Sequence, residues 1–401
     1  MSLFAQEPLD PLNPAMAQTA APPVMEARRW LEGVTFTPER PLINVSQAAP
    51  VAPPPHALRA EMARVALEVD EAHLYGPVLG LPALRAEVAR QWSVAYRGPV
   101  RPEEVAITSG CNEAFAAVMA TIAGHGDEVL MPVPWYFNHK MWCDMNGVKA
   151  VPIATGDDML PTIEGCARHI TPRTRAIVLV TPNNPAGVEY PPKLVDMFYA
   201  LAKERDLALV VDETYRDFDS RDEAPHAVFQ QKDWGETLIQ LYSFSKAYRL
   251  TGHRVGAIVA SDQRLAQVEK YLDTVTICPN QIAQYGALYG MQHMGDWVAG
   301  ERDEILKRRA AIEAGFADLA AKGWALLGCG AYFAYLRHPF DIPADQLAPQ
   351  LVRDAGVLCL PGTMFRPKGD KHGAQELRLA FANLDVAGIA TLFARLAALS
   401  V

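Results

Sequence analysis

The segment SFSKAYRLTGHRVG, residues 243–256, decides the fold, because it joins two strand-like runs and concentrates polar side chains between them. It places Ser243, Ser245, Lys246 and Arg254 within twelve residues. Hydroxyls and a guanidinium suit a phosphate dianion, since charge-assisted hydrogen bonds are about twice as strong as neutral ones. A lysine beside them can attack an aldehyde when burial and a nearby cation lower its pKa. Taken alone, however, the segment is better explained as a surface loop with a solvated lysine.

Short β-branched runs alternate with helix-period segments from about residue 57, a pattern that is typical of βα units. Several runs, such as AIVLV and LALVV, are apolar throughout, which indicates strands covered by helices on both faces. The pattern predicts seven strands in one large sheet, at 105–108, 128–131, 149–153, 175–180, 207–211, 237–242 and 255–260. Helices are predicted at 112–123, 136–146, 192–205, 263–275 and 303–322.

These elements predict an α/β fold in three parts. Residues 56–295 form a large domain, in which helices cover both faces of a mostly parallel seven-stranded sheet. Residues 1–55 are proline-rich and are predicted to form an N-terminal arm and part of a smaller domain, with one amphipathic piece at 24–31. Residues 296–401 complete this small α+β domain, which is therefore built from both chain ends.

Composition argues against several classes of protein. The chain has 401 residues, of which 37 are basic and 46 acidic, and its net charge of -9 disfavours nucleic-acid binding. Its longest apolar stretch, 114–124, is far shorter than the ~18 residues that a membrane span needs. The six cysteines are scattered without a C-x-x-C pair, so neither a metal site nor a disulfide framework is predicted. The first residues lack a secretory signal pattern, and a cytoplasmic enzyme is expected.

Polar residues also follow other predicted strands. Asp212 closes an apolar run and Tyr215 lies three residues later, at the edge where open α/β sheets bind ligands. A buried aspartate needs a cationic or hydrogen-bonding partner, and a protonated pyridine nitrogen would serve. Asn184, in TPNNPAG, could donate to a phenolate oxygen. Capping of a turn explains Asp212 about as well, and a turn explains Asn184 better, when each is taken alone.

Two further strand ends carry the same kind of signal. In TSGCNEA, Ser109, Gly110 and Cys111 begin a predicted helix, whose amides and dipole favour an anion. Trp135 follows another strand and could stack on a planar ring, although most tryptophans pack in a core or an interface. Together, the five strand ends specify a ligand with a phosphate, an aldehyde, a phenolic oxygen and a basic ring nitrogen. Pyridoxal 5'-phosphate has all four.

The order of these motifs resembles that of the class I/II aminotransferases, fold type I pyridoxal-phosphate enzymes related to aspartate aminotransferase. Asn-Pro-x-Gly is followed by Asp-x-x-Tyr, by Ser-x-Ser-Lys with an arginine eight residues after the lysine, and by Arg378 in ELRLAF. The resemblance runs from about residue 40 to the end. It implies a transaminase that moves the amino group of an L-amino acid to a 2-oxo acid such as 2-oxoglutarate, through an aldimine on Lys246.

The resemblance also implies a role for each remaining site residue. Asp212 would partner the ring nitrogen, Asn184 and Tyr215 would bond the phenolic oxygen, and Trp135 would stack on the ring. The phosphate would be held by a group that the motif supplies together: Ser109, Gly110, Cys111, Ser243, Ser245 and Arg254.

The family pattern further implies a homodimer with shared sites, because its Tyr-Gly motif, here at Tyr75, reaches the phosphate of the neighbouring subunit. Arg378 would clamp the substrate carboxylate, with help from the backbone near Ala48. This chain departs from the pattern at two places. Arg249 replaces a small residue, and SQAAP at 46–50 stands where many members have a small residue followed by Gly-x-Pro, so the substrate geometry is where we expect differences.

Two other functions are compatible with parts of the pattern. A β-lyase could use the same cofactor residues, and a non-enzymatic sensor domain could share the fold. The ~40 residues before the resemblance are too short and too acidic for the DNA-binding module of such a sensor. The sequence does not decide which residues contact the substrate side chain. A dicarboxylic substrate would need a second cation, for which the candidates are Arg28, Arg29, His139, Lys140, Arg249 and Arg366. An aromatic or aliphatic substrate would need an apolar wall, for which the candidates are Phe137, Tyr332 and Phe365.

Overall fold

The computed structural model describes residues 12–399. Within them, the strands are β1 Ile43–Asn44, β2 Val105–Thr108, β3 Glu128–Val133, β4 Lys149–Ala154, β5 Thr174–Val180, β6 Ala208–Asp212, β7 Leu238–Ser243, β8 Gly256–Val259, β9 Ala325–Gly330, β10 Phe333–Arg337, β11 Val357–Leu358, β12 Leu360–Pro361 and β13 Glu376–Leu379. The α-helices are α1 Pro14–Gln18, α2 Pro23–Arg29, α3 His56–Glu68, α4 Pro82–Tyr96, α5 Cys111–Ile122, α6 Phe137–Met145, α7 Ile163–Ala167, α8 Pro192–Glu204, α9 Phe244–Ala247, α10 Asp262–Val275, α11 Gln281–His293, α12 Gly295–Gly315, α13 Ala317–Ala320, α14 Ala344–Ala355 and α15 Val386–Ala397.

The seven strands predicted for the large sheet all lie in one sheet, in the order β2-β8-β7-β6-β5-β3-β4. Strand β8 is antiparallel to both of its neighbours, whereas β3 to β7 pair in parallel. The prediction of a mostly parallel sheet is therefore confirmed. Because the parallel strands end at one edge, the loops after β2, β3, β5, β6 and β7 meet there.

Helices cover both faces of this sheet, as the apolar strands predict. Along β6, Leu209 and Val211 pack into one buried cluster, while Val210 packs into another on the opposite face. Alternate side chains of a strand point to opposite faces, so a strand that is buried on both must be apolar at every position.

A second, four-stranded antiparallel sheet has the order β12-β13-β10-β9. It shares a buried cluster with helices α12 to α15, and Ile43 and Val45 from the N-terminal segment pack into the same cluster. Strand β1 pairs in parallel with β11. Segments from the two ends of the described chain thus pack together. The domain boundaries at 55/56 and 295/296 stay predictions, and residues 1–11 and 400–401 of the outer parts lie outside the described residues.

The differences from prediction occur mainly in helices. The predicted helix at 303–322 begins earlier, at Gly295, and ends at Gly315, before the short α13. The amphipathic piece predicted at 24–31 is α2, Pro23–Arg29, which starts with a proline at its first helical position. Among residues 12–399, no helix is both long and apolar enough to cross a membrane.

Candidate functional site

A cavity of about 420 Å³ lies at the carboxyl edge of the large sheet, which is the position that open α/β sheets favour for ligands. It is lined by residues from the strand ends, from β13 and from the N-terminal segment. Those that the sequence analysis named are Arg28, Ala48, Cys111, Phe137, Asn184, Asp212, Tyr215, Ser243, Ser245, Lys246, Arg254 and Arg378.

Lys246 lies in the short helix α9, directly after β7, so the strand end brings its amine to the cavity. Its Nζ donates a hydrogen bond to the carbonyl oxygen of Ala48 at 2.6 Å. Burial, together with the positive charges of Arg254 and Arg378, lowers the pKa of Lys246 to about 8. A lysine in this position is partly neutral near physiological pH and can act as a nucleophile or a base.

Asp212 is the last residue of β6 and is buried. Its Oδ2 lies 3.2 Å from Nε2 of His139, and its Oδ1 accepts a hydrogen bond from the amide of Thr214 at 3.0 Å. Burial alone would raise the pKa of Asp212, but the hydrogen bonds from His139 and Thr214 lower it overall. A buried carboxylate is thus held ionised at the wall of the cavity.

Four of the residues predicted to hold a phosphate line the same cavity as Lys246, namely Cys111, Ser243, Ser245 and Arg254. Oγ of Ser243 accepts from the amide of Ser245 at 3.3 Å, and Nη1 of Arg254 lies 3.4 Å from Oγ of Ser245. Gly110 precedes α5 with φ +93°, and a Cβ added there would lie 2.3 Å from Nη2 of Arg254. Only glycine fits this close approach of backbone and guanidinium without displacing one of them. Ser109 and Gly110 precede α5 and do not line the cavity, whereas Cys111, the first residue of α5, does.

Arg378 enters the cavity from β13, an interior strand of the small sheet, and is only 2% exposed. Its Nη1 donates to Oδ1 of Asn184 at 3.2 Å, and its Nη2 donates to the carbonyl of Ser46. Its Nε is buried without a hydrogen-bond partner among the described residues. Burial lowers the pKa of Arg378 to about 10. A buried guanidinium with a free donor suits a carboxylate ligand.

Tyr215 is buried beside Lys246, whose Nζ lies 5.7 Å from the centre of its ring. The ring also packs against Tyr332 and Phe333, at centroid distances of 5.3 and 5.1 Å. Burial raises the pKa of the Tyr215 phenol well above its usual value. The hydroxyl therefore stays protonated and can donate a hydrogen bond.

The structure corrects the choice of Trp135 as the stacking aromatic. Trp135 is buried in the core cluster that includes Phe115 and does not line the main cavity, whereas the next residue, Tyr136, does. The strand ends at Val133 and the helix begins at Phe137, and one residue in this turn decides which aromatic lines the cavity.

Arg249 and Tyr75 both lie outside the cavity of their own chain. The guanidinium of Arg249 makes two hydrogen bonds to Glu301, at 2.8 and 2.7 Å, and does not line the cavity, so this departure does not make the site bulkier. Tyr75 is 81% exposed and does not belong to the cavity of its own chain.

Sequence reasoning missed His139 as the partner of Asp212, although its place after a strand end was a usable signal.

The fold and the site define an α/β protein in which a buried lysine with a lowered pKa lies at the carboxyl edge of a mostly parallel sheet. The family model described as aminotransferase class I and II matches residues 41–396. The chain therefore belongs to the class I and II aminotransferases, which are transferases of amino acid metabolism and generally depend on pyridoxal phosphate.

The relatives and solved structures agree with this family. The chain is 28% identical over 375 residues to the glutamate-pyruvate aminotransferase AlaC of Escherichia coli K12, covering 91% of this chain and 87% of AlaC. It is 28% identical to the aspartate/prephenate aminotransferase of Thermus thermophilus, covering 77% and 78%. The solved structure of YbdL from Escherichia coli, described as having a methionine aminotransferase function, has a TM-score of 0.87 and 21% identity, covering 98% and 100%. At this identity, the solved structure supports the fold alone.

Proposed function

We propose that this enzyme uses pyridoxal 5'-phosphate to move the amino group of an L-amino acid to a 2-oxo acid, with 2-oxoglutarate as the acceptor. The observation that carries the proposal is the convergence of Lys246, Asp212 and Arg378 on one cavity, although they lie on separate elements. An amine with a lowered pKa, a buried carboxylate and a buried guanidinium are the groups that transamination requires.

The residues of the cavity fit the cofactor. Gly110 leaves space beside Arg254 that a larger residue would fill, and the start of α5 favours an anion. Arg254, Ser243 and Ser245 would hold the phosphate, and the ionised Asp212 would pair with the protonated ring nitrogen. Lys246 would hold the aldehyde carbon. The phenolic oxygen would receive hydrogen bonds from Asn184 and Tyr215, and Tyr136 would cover the ring.

When bound, the cofactor supplies an electron sink for the electrons that remain when an amino acid loses its α-proton. Lys246, released when the amino group of the substrate replaces it on the aldehyde carbon, would take this proton on Nζ and deliver it to that carbon, because a pKa of about 8 lets the amine both accept and donate near neutral pH. Arg378 would bind the α-carboxylate and orient the Cα–H bond toward Nζ. Asp212 stays charged because His139 and Thr214 donate to it.

A homodimer with shared sites is part of the proposal. Leu74 and Tyr75 are exposed, and Gly76 next to them donates to Sγ of Cys278, which places this loop against the segment of exposed Ile277. Exposed apolar residues on two adjoining segments are typical of a subunit interface. Tyr75 would reach the site of the partner subunit.

Mixing two variants that are each expected to be impaired as homodimers tests the shared site. Lys246→Ala and Tyr75→Phe homodimers, exchanged and reassociated, should recover about a quarter of the wild-type activity, since one site of each heterodimer is intact. Failure of the mixed sample to recover activity, with heterodimers demonstrated by mass, would contradict the shared site.

Amino-group transfer itself is tested with a panel of L-amino acids and 2-oxoglutarate, with glutamate formation measured. The names of the relatives favour transamination over β-elimination. Release of pyruvate and ammonia without an acceptor would instead identify the alternative β-lyase. The expected location in the cytoplasm stays a prediction.

A further inference from the structure

Four strongly basic side chains line the cavity within residues 12–399: Arg28, Lys246, Arg254 and Arg378. The proposed function uses three of them, for the aldehyde, the phosphate and the α-carboxylate. Arg28, on helix α2 at the mouth of the cavity, has no role in that account. A basic side chain in a substrate cavity is a candidate reader of a second negative charge on the substrate.

The other five cations that the sequence analysis named as candidates for binding a second carboxylate are each excluded by the structure. Among the described residues, four pair with acids in the same chain, and Arg29 does not line the cavity. The four pairs are His139 with Asp212, Lys140 with Asp144, Arg249 with Glu301 and Arg366 with Glu376.

Three consecutive residues connect Arg28 to the substrate end of the site. The carbonyl of Ser46 accepts from Arg378, the side-chain Oε1 of Gln47 accepts from Nη2 of Arg28 at 2.9 Å, and the carbonyl of Ala48 accepts from Lys246. This segment therefore contacts all three cations. Arg28 is bonded there to a neutral amide, which a carboxylate can replace with a stronger, charge-assisted bond.

We propose that Arg28 binds the second carboxylate of a dicarboxylic substrate, such as 2-oxoglutarate or glutamate, whose α-carboxylate lies on Arg378. The proposal rests on the proposed function and names the substrate class for the same site. Val24, Met25 and Phe137, which line the cavity beside Arg28, would contact the methylene carbons. Arg28 is exposed, and its hydrogen bonds among the described residues go to the side-chain amide of Gln47 and, at 4.0 Å, to Sδ of Met25. Because both partners are neutral side chains, its guanidinium can move to meet substrates of different length.

The test compares dicarboxylic with monocarboxylic substrates in the two half-reactions of the holoenzyme. In Arg28→Gln, kcat/KM for glutamate and for 2-oxoglutarate should fall about tenfold to a hundredfold, mainly through KM. The values for alanine and pyruvate should stay within about twofold, because these substrates have no second carboxylate. Arg28→Lys should recover part of the loss, since it keeps the charge but not the fork geometry.

Arg29→Gln is the matched control, because it removes the same charge from the same helix outside the cavity lining. An equal loss in Arg29→Gln, or an unchanged dicarboxylate preference in Arg28→Gln, would overturn the assignment. A wild-type enzyme without any preference for dicarboxylates would also overturn it. These results are distinct from failure of the proposed function, in which no amino donor would react and Lys246 would carry no cofactor.

Discussion

Nε2 of His139, from helix α6, lies 3.2 Å from Oδ2 of Asp212 at the end of β6, and both side chains are almost fully buried. His139 also stacks on Phe115, with 3.8 Å between the ring centres, which fixes the direction of the imidazole. This contact keeps a buried carboxylate charged at the point where the proposed cofactor needs a negative charge. It is the structural basis of the first two predictions.

Replacement of Asp212 by alanine should lower kcat about a thousandfold, because a loss of ~4 kcal/mol of transition-state stabilisation has that effect. Cofactor retention, measured by visible absorbance, should change much less, since the phosphate residues are intact. Asp222→Ala is the control, because the side chain of Asp222 is 90% exposed and pairs with Arg302 away from the cavity. Near wild-type turnover of Asp212→Ala would rule out the role assigned to it.

Replacement of His139 by alanine should shift the acid limb of the kcat/KM profile to higher pH. His139 lowers the pKa of Asp212, and its removal leaves burial, which raises that pKa, with less opposition. Asp212 then becomes protonated earlier as the pH falls, and activity is lost at a higher pH. The exposed His372 provides the control substitution. A profile of His139→Ala that overlays the wild type would contradict the effect.

The reactivity of Lys246 should rise as the pH passes through about 8, where the wild-type amine loses its proton. The rate at which the apoenzyme takes up pyridoxal, which lacks the phosphate, measures this without phosphate binding. In Arg254→Ala the midpoint should move to higher pH, because the positive charge of Arg254 lowers the pKa of Lys246. A midpoint near 10.5, the ordinary value for lysine, in the wild type would show that the amine is not perturbed.

Gly110→Ala should weaken cofactor binding. Gly110 has a backbone φ of +93°, which residues other than glycine rarely adopt, and the added Cβ would lie 2.3 Å from Nη2 of Arg254. Equilibrium titration of the apoenzyme should show an affinity loss of about tenfold or more, since a shift of ~1.4 kcal/mol is sufficient. Gly300→Ala, in helix α12 with open space around it, should bind normally. Equal affinity in the two variants would contradict the close approach at Gly110.

Much of the fold could be predicted from the sequence, because strands buried on both faces must be apolar throughout, as in LALVV before Asp212. Their carboxyl ends meet at one edge, so motifs at those ends predicted the positions of Lys246, Asp212 and Asn184. Arg378 was harder, because the residues alone suggest a surface charge on a strand edge. Its burial depends on the neighbouring strands of the small sheet.

Contacts between distant segments could not be predicted in the same way. The turn after β3 determines whether Trp135 or Tyr136 lines the cavity. Hydrophobic periodicity does not distinguish between two neighbouring aromatic residues in a turn. The contact of His139 with Asp212 joins helix α6 to strand β6, and that of Arg28 with Gln47 joins two residues that are 19 positions apart in the sequence. These contacts require knowledge of how the elements pack.

Borohydride reduction of the freshly purified enzyme, followed by peptide mass mapping, tests most directly whether Lys246 binds pyridoxal phosphate. Reduction fixes an aldehyde on the lysine that holds it, and Lys246→Arg serves as the unlabelled control. The mass of the reduced pyridoxyl group should be found on the peptide that contains Lys246. Holoenzyme that carries the cofactor on another lysine, or protein reconstituted with excess cofactor that carries none, would contradict the account.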